Sequence, residues 1–393
     1  MTRPLRIALI GGFGGGNFGN DASLKTALGR IAAKLPDAQV AVIGVNAKAV
    51  TERFGVPAFR ITRRPLGAMR LLDLLLLRLP SSLLNWALAF WFIRSFDVLL
   101  FPGTGIFDDY RTGPMGFPAR VFRWSVAAKL SGVRVIFQSV GAGPIINPLS
   151  RFFLKTAARC AVARSYRDAD SKAFMQSIGV DERNSPVAPD IVFALPTPAR
   201  RERAEGDPLT IGVGVMAYRG WRIDERLGDD YLEKLARFIR YVEGRGCRVR
   251  LIVGERSDKR AVARVNALLA DEVDRGGAQN NFTDVMAEAA GSDVVLGSRF
   301  HVLIAGLKLG RPCISLNYGP KHAQLMAEAG IGEFAQDADR FDYDLLVRHF
   351  ETIAADLPRY ENIVRERVGQ MRERLLAAEG ELFAQIATAK RRA

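Results

Sequence analysis

The feature that most constrains the fold is an alternation of short apolar runs with longer amphipathic segments along most of the chain. Short apolar runs are typical of strands that are buried on both faces of a parallel sheet. The segments between them carry apolar residues at helical spacing, so the alternation predicts an α/β fold. The predicted strands are residues 6–10, 39–45, 98–101, 133–139, 162–165, 209–215, 248–253, 294–296 and 313–317.

Length and local composition divide this pattern between two domains. A chain of 393 residues exceeds what one hydrophobic core normally serves. Residues 196–208 are polar and rich in proline and charge, which indicates a linker. We therefore predict two Rossmann-like domains facing each other across a cleft, residues 1–200 and 208–375, with ligands at the carboxyl ends of the strands. Residues 376–393 are predicted to form a helix that packs back on the first domain.

Charge is distributed unevenly between the two halves of the chain. Residues 1–200 contain 26 lysine and arginine residues against 12 acidic residues, whereas residues 201–393 contain 30 of each. A basic half attracts nucleic acid, anionic lipid or phosphorylated substrates. The sequence has no zinc finger, RNP-type strand motif or basic heptad region, so a nucleic-acid partner is not expected. The three cysteines are isolated and no signal peptide is recognisable, which favours a cytoplasmic location.

Residues 63–96 interrupt the alternation with a segment rich in leucine, aromatic residues and arginine. Its longest uncharged run, residues 79–93, is shorter than the roughly 20 apolar residues that a membrane span needs. Two interpretations remain open. The segment is either a buried helical insertion or a helical hairpin that rests on anionic headgroups at the inner face of the cell membrane. In the second case, the inserted residues are expected to be Trp86, Phe90, Trp91 and Phe92.

A glycine-rich loop follows the first predicted strand. Gly14, Gly16 and Gly19 have the spacing of a dinucleotide-binding fingerprint, but the second strand runs into Asn46 without the acidic residue that would bind a ribose. Gly19 also lacks the following lysine of a Walker A motif. The loop is therefore predicted to be a strand-to-helix turn.

The polar side chains of this turn have both a structural and a functional interpretation. The same is true of a pair of aspartates later in the chain. Asn20 or Asp21 is predicted to cap the following helix, and with Asn17 they shape the site or touch an acceptor. Asp168 and Asp170 form a DxD sequence, the metal motif of one glycosyltransferase fold. Because they precede a predicted helix, capping is the favoured interpretation, and nothing in the sequence requires a metal.

A histidine lies on the turn after the predicted strand at residues 294–296. His301 is one of three histidines in the chain, and Arg299 is two residues before it. Imidazole is the natural general acid or base near neutral pH, and guanidinium binds carboxylate or phosphate in bidentate fashion. The alternative is a helix-capping histidine beside a structural arginine.

These motifs, taken in order, resemble those of the polysaccharide pyruvyl transferases. The similar blocks are GNFGND (16–21), PGTGIFD (102–108), QSVG (138–141), RSYRD (164–168) with Ser171, GSRFH (297–301), AGLKLGRP (305–312) and NYGPK (317–321). Residues 189 and 190 read Pro-Asp where the family more often has Asp-Pro, and residues 63–96 are an insertion.

The resemblance implies a fold similar to GT-B glycosyltransferases and a specific reaction. Phosphoenolpyruvate would be the donor co-substrate, a saccharide hydroxyl pair the acceptor, and a pyruvate ketal with inorganic phosphate the products, with no cofactor and no metal. His301 would be the general acid, although a helix N-terminus disfavours its protonated form unless substrate anions offset the dipole. Arg299 with Arg164 or Arg167 would hold the donor's carboxylate and phosphate.

Other positions matched by the resemblance complete the expected substrate site. Tyr318 and Lys321 would be further anion contacts. Asp108, Gln138 and Ser298 are the remaining substrate-binding candidates, and Asp108 with Asp109 either orients an acceptor hydroxyl or orders its loop. The basic N-terminal half would bind the acceptor, which would be a lipid-linked saccharide precursor. A GT-B glycosyltransferase using a nucleotide sugar is the alternative enzyme, and a glycan-binding or membrane scaffold protein is the non-enzymatic one.

Overall fold

A computed structural model describes residues 3–63, 68–76, 78–109, 112–218, 225–270 and 273–388. Parts of the predicted insertion (64–67 and 77) and of the predicted C-terminal helix (389–393) lie outside these residues. The chain forms two compact units. The first contains residues up to 15, residues 22–194 and the chain from residue 374 onward, and the second contains residues 16–21 and 195–373.

The first unit is built on a parallel sheet. Its seven described strands follow the order β3-β2-β1-β4-β6-β5, with β7 also pairing with β6. Because the order reverses beside β1, a crevice at the carboxyl ends of β1 and β4 is the favoured ligand position in this kind of sheet. The strands are β1 (Arg6–Ile10), β2 (Gln39–Gly44), β3 (Ala58–Arg60), β4 (Val98–Pro102), β5 (Gly105–Phe107), β6 (Arg134–Ala142) and β7 (Ala161–Tyr166).

Helices connect these strands and cover the sheet. Several begin with the sequence signals expected of a helix start: proline lies in the first turn of three of them, and Asn147 caps one through hydrogen bonds from the backbone of its first turn. The helices that begin in this part of the chain are α1 (Phe18–Lys34), α2 (Ala47–Phe54), α3 (Ala68–Leu75), α4 (Leu79–Ile93), α5 (Phe117–Leu130), α6 (Pro148–Cys160) and α7 (Ala169–Ser177).

The second unit has a five-stranded parallel sheet in the part of the chain that the structure describes, in the order β12-β11-β10-β8-β9. Here the order reverses between β8 and β10, which directs attention to the turns that follow these two strands. The strands are β8 (Thr210–Val215), β9 (Arg248–Val253), β10 (Val294–Gly297), β11 (Cys313–Asn317) and β12 (Ala335–Asp337). The helices are α8 (Glu225–Gly244), α9 (Lys259–Leu269), α10 (Phe282–Ala290), α11 (Phe300–Lys308), α12 (Pro320–Glu328), α13 (Tyr343–Ala355) and α14 (Leu357–Ala387).

The last helix belongs to both units. From Arg374 onward, α14 is part of the first unit, where Glu379 forms an ion pair with Arg30 of α1. Arg134 at the start of β6 donates a hydrogen bond to the backbone oxygen of Gln385 at 3.1 Å. The C-terminal turns of α14 therefore complete a unit that is otherwise formed by the first half of the chain.

The segment at residues 63–96 forms the helices α3 and α4. One side of α4 is buried through Asn85, Ala89 and Ile93. The Asn85 amide accepts a hydrogen bond from the backbone nitrogen of Arg63 at 2.8 Å and donates to its carbonyl oxygen at 2.9 Å. None of the helices in the described ranges is both long enough and apolar enough to span a bilayer.

Candidate active site

The turn between β10 and α11 lies at the reversal of strand order in the second unit. Ser298, Arg299 and His301 follow β10 directly, and α11 begins at Phe300. Ser298 is fully buried, and its hydroxyl lies 2.9 Å from the hydroxyl of Tyr231. Burial raises the pKa of Tyr231 to about 12, so this phenol remains protonated at neutral pH. Ser298 is thus part of the support beneath the turn.

Arg299 is held by two carboxylates from the end of β9. Its Nε and Nη2 donate to Asp258 at 3.0 and 2.6 Å, and its Nη1 lies 2.9 Å from Glu255. Asp258 is fully buried and also accepts a hydrogen bond from the backbone nitrogen of Ala217 after β8. The network therefore joins the turns that follow β8, β9 and β10.

Burial and ion pairing act in opposite directions on these two groups. Burial lowers the pKa of Arg299, but the charge and hydrogen bonds of Asp258 outweigh it, so the pKa of Arg299 is raised overall. Burial dominates for Asp258 and raises its pKa despite the adjacent guanidinium. Because Arg299 is matched by two carboxylates, its charge is already compensated within the protein.

His301 lies against the glycine turn of residues 16–21. A Cβ atom added to Gly19 would lie 2.0 Å from Nδ1 of His301, far inside van der Waals contact. The imidazole also makes edge contacts with the rings of Phe282 and Phe300, at centroid distances of 6.2 and 5.6 Å. Only glycine at position 19 leaves room for the ring in this position.

Backbone and side-chain hydrogen bonds attach the same turn to the end of β9. The nitrogen of Phe18 donates to the oxygen of Gly254 at 3.3 Å, and the nitrogen of Arg256 donates to the oxygen of Gly16 at 3.1 Å. The Asn17 amide donates to Glu255 at 3.4 Å. Glu255 therefore contacts both Asn17 and Arg299.

The cap of α1 differs from the prediction. The side-chain oxygen of Asn17 accepts hydrogen bonds from the backbone nitrogens of Gly19 and Asn20 at 3.0 and 3.2 Å. The helix begins at Phe18, so the predicted caps Asn20 and Asp21 already lie in its first turn. Asp21 is buried there, and Asn20 is partly exposed.

An aromatic and cationic group follows β11. The ammonium of Lys321 lies 4.8 Å from the ring centroid of Tyr318 and 5.7 Å from that of Phe300, which immediately precedes His301. The buried ring of His322 packs 4.4 Å from Tyr318 and 5.7 Å from Phe300. Tyr318, Lys321 and His301 are therefore brought to one edge of the second sheet around Phe300.

Four predicted substrate residues belong to the first unit, and Arg164 is one of them. Its Nε lies 3.0 Å from the buried carboxylate of Glu182, and its other nitrogens donate to the backbone oxygens of Ala158 and Asp181. Glu182 also accepts a hydrogen bond from the buried hydroxyl of Tyr166 at 2.6 Å. The side chain of Arg164 therefore serves as the counterion of a buried carboxylate.

The other three predicted substrate residues of the first unit lie near the carboxyl ends of its strands. The guanidinium of buried Arg167 occupies the space above Gly141, where an added Cβ would lie 2.3 Å from it. Gln138 is buried within β6, and a carboxylate oxygen of Asp108 lies close to Gly105 after β4. The structure thus places Arg167, Gln138 and Asp108 around β5 and β6.

One aspartate of each acidic pair has a structural role proposed from the sequence. Asp168 caps α7 by accepting a hydrogen bond from the backbone nitrogen of Ser171 at 2.7 Å, which confirms the predicted cap. Asp109 accepts hydrogen bonds from the backbone nitrogens of Ile146 and Asn147 and so orders a loop. Among the residues that the structure describes, no group of three or more histidine, cysteine or carboxylate side chains is arranged to hold a metal ion.

Sequence reasoning did not identify Asp258, Glu255 or His322. Asp258 and Glu255 lie about forty residues from Arg299, and only the parallel pairing of neighbouring strands brings their turns together. Their position after a predicted strand was the one available signal. His322 follows Lys321 directly and could have been included by its place in the same turn.

Comparisons with known proteins agree with this architecture. The family model described as polysaccharide pyruvyl transferase matches residues 17–320. No curated protein sequence gives a match. Among solved structures, a putative UDP-N-acetylglucosamine 2-epimerase from Listeria monocytogenes is similar with a TM-score of 0.63, 13% identity and coverage of 97% of each chain.

Two further solved structures have the same organisation. A UDP-GlcNAc 2-epimerase from Neisseria meningitidis, bound to UDP-GlcNAc, has a TM-score of 0.60 at 12% identity, covering 96% of this chain and 99% of its own. A glycosyltransferase from Rickettsia africae has a TM-score of 0.60 at 11% identity, covering 98% of this chain and 100% of its own. At such low identity these likenesses show the fold alone, and they confirm the predicted α/β, GT-B-like class. The sequence match, which extends over most of the chain and includes the β10–α11 turn, shows that the protein belongs to the polysaccharide pyruvyl transferase family.

Proposed function

We propose that the protein transfers the pyruvyl group of phosphoenolpyruvate to two hydroxyl groups of a saccharide, forming a pyruvate ketal and inorganic phosphate. The observation that carries this proposal is the convergence of His301 and Lys321 around Phe300, at the edge of the sheet where ligands of such folds bind. Membership of the pyruvyl transferase family supports a transferase acting on polysaccharide.

The donor would bind through the N-terminus of α11 and the ammonium group of Lys321. Phosphoenolpyruvate carries a phosphate and a carboxylate, and the first turn of α11 presents backbone N–H groups suited to an anion. Lys321, held over the ring of Tyr318, adds a positive charge beside it. Arg299 is occupied by Asp258 and Glu255, so in this proposal it positions the β10–α11 turn.

His301 would provide the proton that activates the donor. Proton transfer from its imidazole to the methylene carbon of phosphoenolpyruvate makes a methyl group and an oxocarbenium-like carbon at C2. One saccharide hydroxyl attacks this carbon and loses its proton. Phosphate then departs with the bonding electron pair, and the second hydroxyl closes the ketal ring as its own proton is released. Two hydroxyl protons are lost, one balancing the proton donated to the methyl group and one carried away by phosphate.

The acceptor would be bound by residues of the first unit. Arg167, Gln138 and Asp108 lie near the carboxyl ends of its strands, and the excess of basic residues in 1–200 suits an acceptor that carries phosphate. In the second unit, Asn17, Asn20 and Asp21 would shape the surface beside His301. A lipid-linked saccharide, whose pyrophosphate is strongly anionic, fits these requirements.

The test is incubation of the full chain with phosphoenolpyruvate and candidate saccharides. Release of phosphate, together with a saccharide whose mass and proton NMR spectrum show a pyruvate ketal methyl group, is the expected result. A parallel incubation replaces phosphoenolpyruvate with nucleotide sugars. Nucleotide release with sugar transfer, and no phosphate release from phosphoenolpyruvate, would support the glycosyltransferase alternative and contradict the proposal.

The His301→Ala variant tests the role of the imidazole. Loss of a general acid typically costs about 10²–10⁴ in rate, so kcat for ketal formation should fall by at least about a hundredfold. His349→Phe, which changes a histidine on α13 outside the proposed site, is the matched control and should retain activity at neutral pH. A decrease below tenfold in a folded His301→Ala protein would argue against general-acid catalysis by this residue.

A further inference from the structure

The α3–α4 hairpin exposes apolar side chains that the first unit does not cover. Leu83 and Trp91, on one side of α4, are 70% and 60% exposed. Soluble monomers rarely present contiguous apolar patches larger than a few hundred Å², and larger ones mark interaction surfaces. We define the hairpin face by the exposed residues Leu71, Leu74, Leu75, Leu79, Leu83 and Trp91.

The opposite side of α4 fixes the orientation of this face. Trp86 packs against Phe122 of α5 at a centroid distance of 5.8 Å, and Phe92 packs against Trp124 and Phe59. Of the four aromatic residues expected to insert into headgroups, only Trp91 is therefore exposed, and leucines form most of the apolar face. The inward-facing aromatic residues hold α4 against the core while its leucines point outward.

The charges around the hairpin have one sign. Residues 60–96 contain six arginines, and their single acidic residue, Asp73, is buried and accepts a hydrogen bond from the backbone nitrogen of Ser81 at 2.8 Å. Arg70, in the first turn of α3, and Arg78, immediately before α4, are both exposed. An apolar face bordered by cations is complementary to a bilayer whose headgroups are anionic.

The length of the hairpin favours lying on a bilayer over crossing it. α4 has fifteen residues, whereas about 20 are needed to span the hydrocarbon core. Tryptophan and arginine are suited to the headgroup region, where the indole ring and the arginine stem reach apolar chains while their polar ends stay hydrated.

We infer that the α3–α4 hairpin is an interfacial docking surface for an anionic phospholipid bilayer, with the leucines and Trp91 in the headgroup layer and the arginines against lipid phosphates. This inference goes beyond the proposed reaction and does not depend on it, because lipid binding is measured without turnover. Docking would bring the enzyme to any acceptor that is carried on a lipid.

Vesicle flotation of the full chain tests the inference. Binding to phosphatidylcholine vesicles that contain phosphatidylglycerol should exceed binding to pure phosphatidylcholine vesicles by at least tenfold and decrease with added salt. Arg70→Gln with Arg78→Asn should weaken binding about 25-fold, since each arginine near an anionic surface contributes roughly fivefold. Asparagine is chosen because Arg78 has φ +62°, a conformation that asparagine tolerates.

Matched variants test whether vesicle binding depends on the hairpin face or only on the total charge and hydropathy of the protein. Leu83→Gln with Trp91→Gln should reduce vesicle binding at least thirtyfold. Leu130→Gln with Val273→Gln removes exposed apolar residues elsewhere and should leave binding unchanged. Arg260→Gln with Arg372→Gln removes the same amount of charge from exposed positions of the second unit and should weaken binding less than threefold.

A spectroscopic measurement locates the contact. Trp91→Phe should keep vesicle binding within threefold while it removes most of the fluorescence quenching caused by brominated lipids. Failure of the wild-type chain to prefer anionic vesicles would overturn the inference, as would equal binding by the Leu83→Gln, Trp91→Gln protein. Sedimentation that shows a dimer dependent on Leu83 and Trp91, without vesicle binding, would instead assign the face to a second copy of this chain.

Discussion

Contact between Gly19 and His301 makes the glycine turn part of the proposed catalytic geometry. An added Cβ at position 19 would lie 2.0 Å from the imidazole, so the ring must move to accommodate even alanine. The φ angle of Gly19 does not lie in the left-handed region, so the constraint is one of space alone. The third glycine of a spacing that first suggests nucleotide binding is thus explained by the volume of the His301 side chain.

Gly19→Ala should therefore reduce ketal formation by about a hundredfold or more while the chain remains folded, because it displaces the proposed general acid. Gly29→Ala is the matched control in the same helix, since a Cβ there has no neighbour within 4 Å. That control should retain activity and gain up to about 1 kcal/mol in stability from higher helix propensity. Steady-state kinetics and urea unfolding distinguish the two, and equal activity of both variants would contradict the steric argument.

For individual residues, the sequence predicts which side chains lie near one another after neighbouring strands. It does not predict which of them form ion pairs. His301, Tyr318 and Lys321 converge as expected for residues that follow neighbouring strands. The pairing of Arg299 with Asp258 could not be predicted, because the two are 41 residues apart and their contact depends on strand order. Arg164 could not be assigned either, since its partner Glu182 becomes identifiable only when its burial is known.

The strands show how far the local sequence pattern predicts the bounds of secondary-structure elements. Those at residues 6–10, 248–253 and 313–317 have the predicted bounds, because their apolar runs end at charged or turn-forming residues. The strands β3, β5 and β12 were not predicted. Each has three residues, too few to show alternation, and forms because a longer neighbour supplies hydrogen bonds.

Capping of α7 by Asp168 gives a prediction for a single element. Asp168→Ala removes the hydrogen bond to the nitrogen of Ser171 and should lower the free energy of unfolding by about 1 kcal/mol. Asp168→Asn keeps a good capping group and should lose clearly less. Urea denaturation measures both. If the two variants were equally unstable, the charge of Asp168 beside Arg167, rather than the cap, would be its main contribution.

The lowered pKa of His349 predicts that the stability of the folded chain depends on pH. Burial lowers its pKa below 6.5, the charge of Arg348 lowers it further, and Glu333 opposes this. The unfolded chain therefore binds a proton more readily than the folded one, so the free energy of unfolding should decrease as pH falls through about 6.5. The slope is limited to about 1.4 kcal/mol per pH unit, the value for one proton.

Thermal melting between pH 7.5 and 5 checks this expectation. His349→Phe preserves a ring to pack beside Phe334, which the imidazole contacts edge-on at 5.4 Å. The Tm of this variant should fall less steeply with acid than that of the wild type, because the other two histidines are common to both. A parallel decline of the two melting curves would show that His349 takes up its proton at the same pH in the folded and unfolded chains, which contradicts a lowered pKa.

The path of α14 has a consequence for how the protein folds during its synthesis. Ile386 and Phe383 are buried, and this end of α14 belongs to the unit that otherwise comes from the first half of the chain. A ribosome synthesises these residues only after it has synthesised residues 195–373 of the second unit. While the second unit is being synthesised, the part of the first unit that the C-terminal turns of α14 later bury is therefore uncovered. The first unit is therefore begun before the second unit and completed after it.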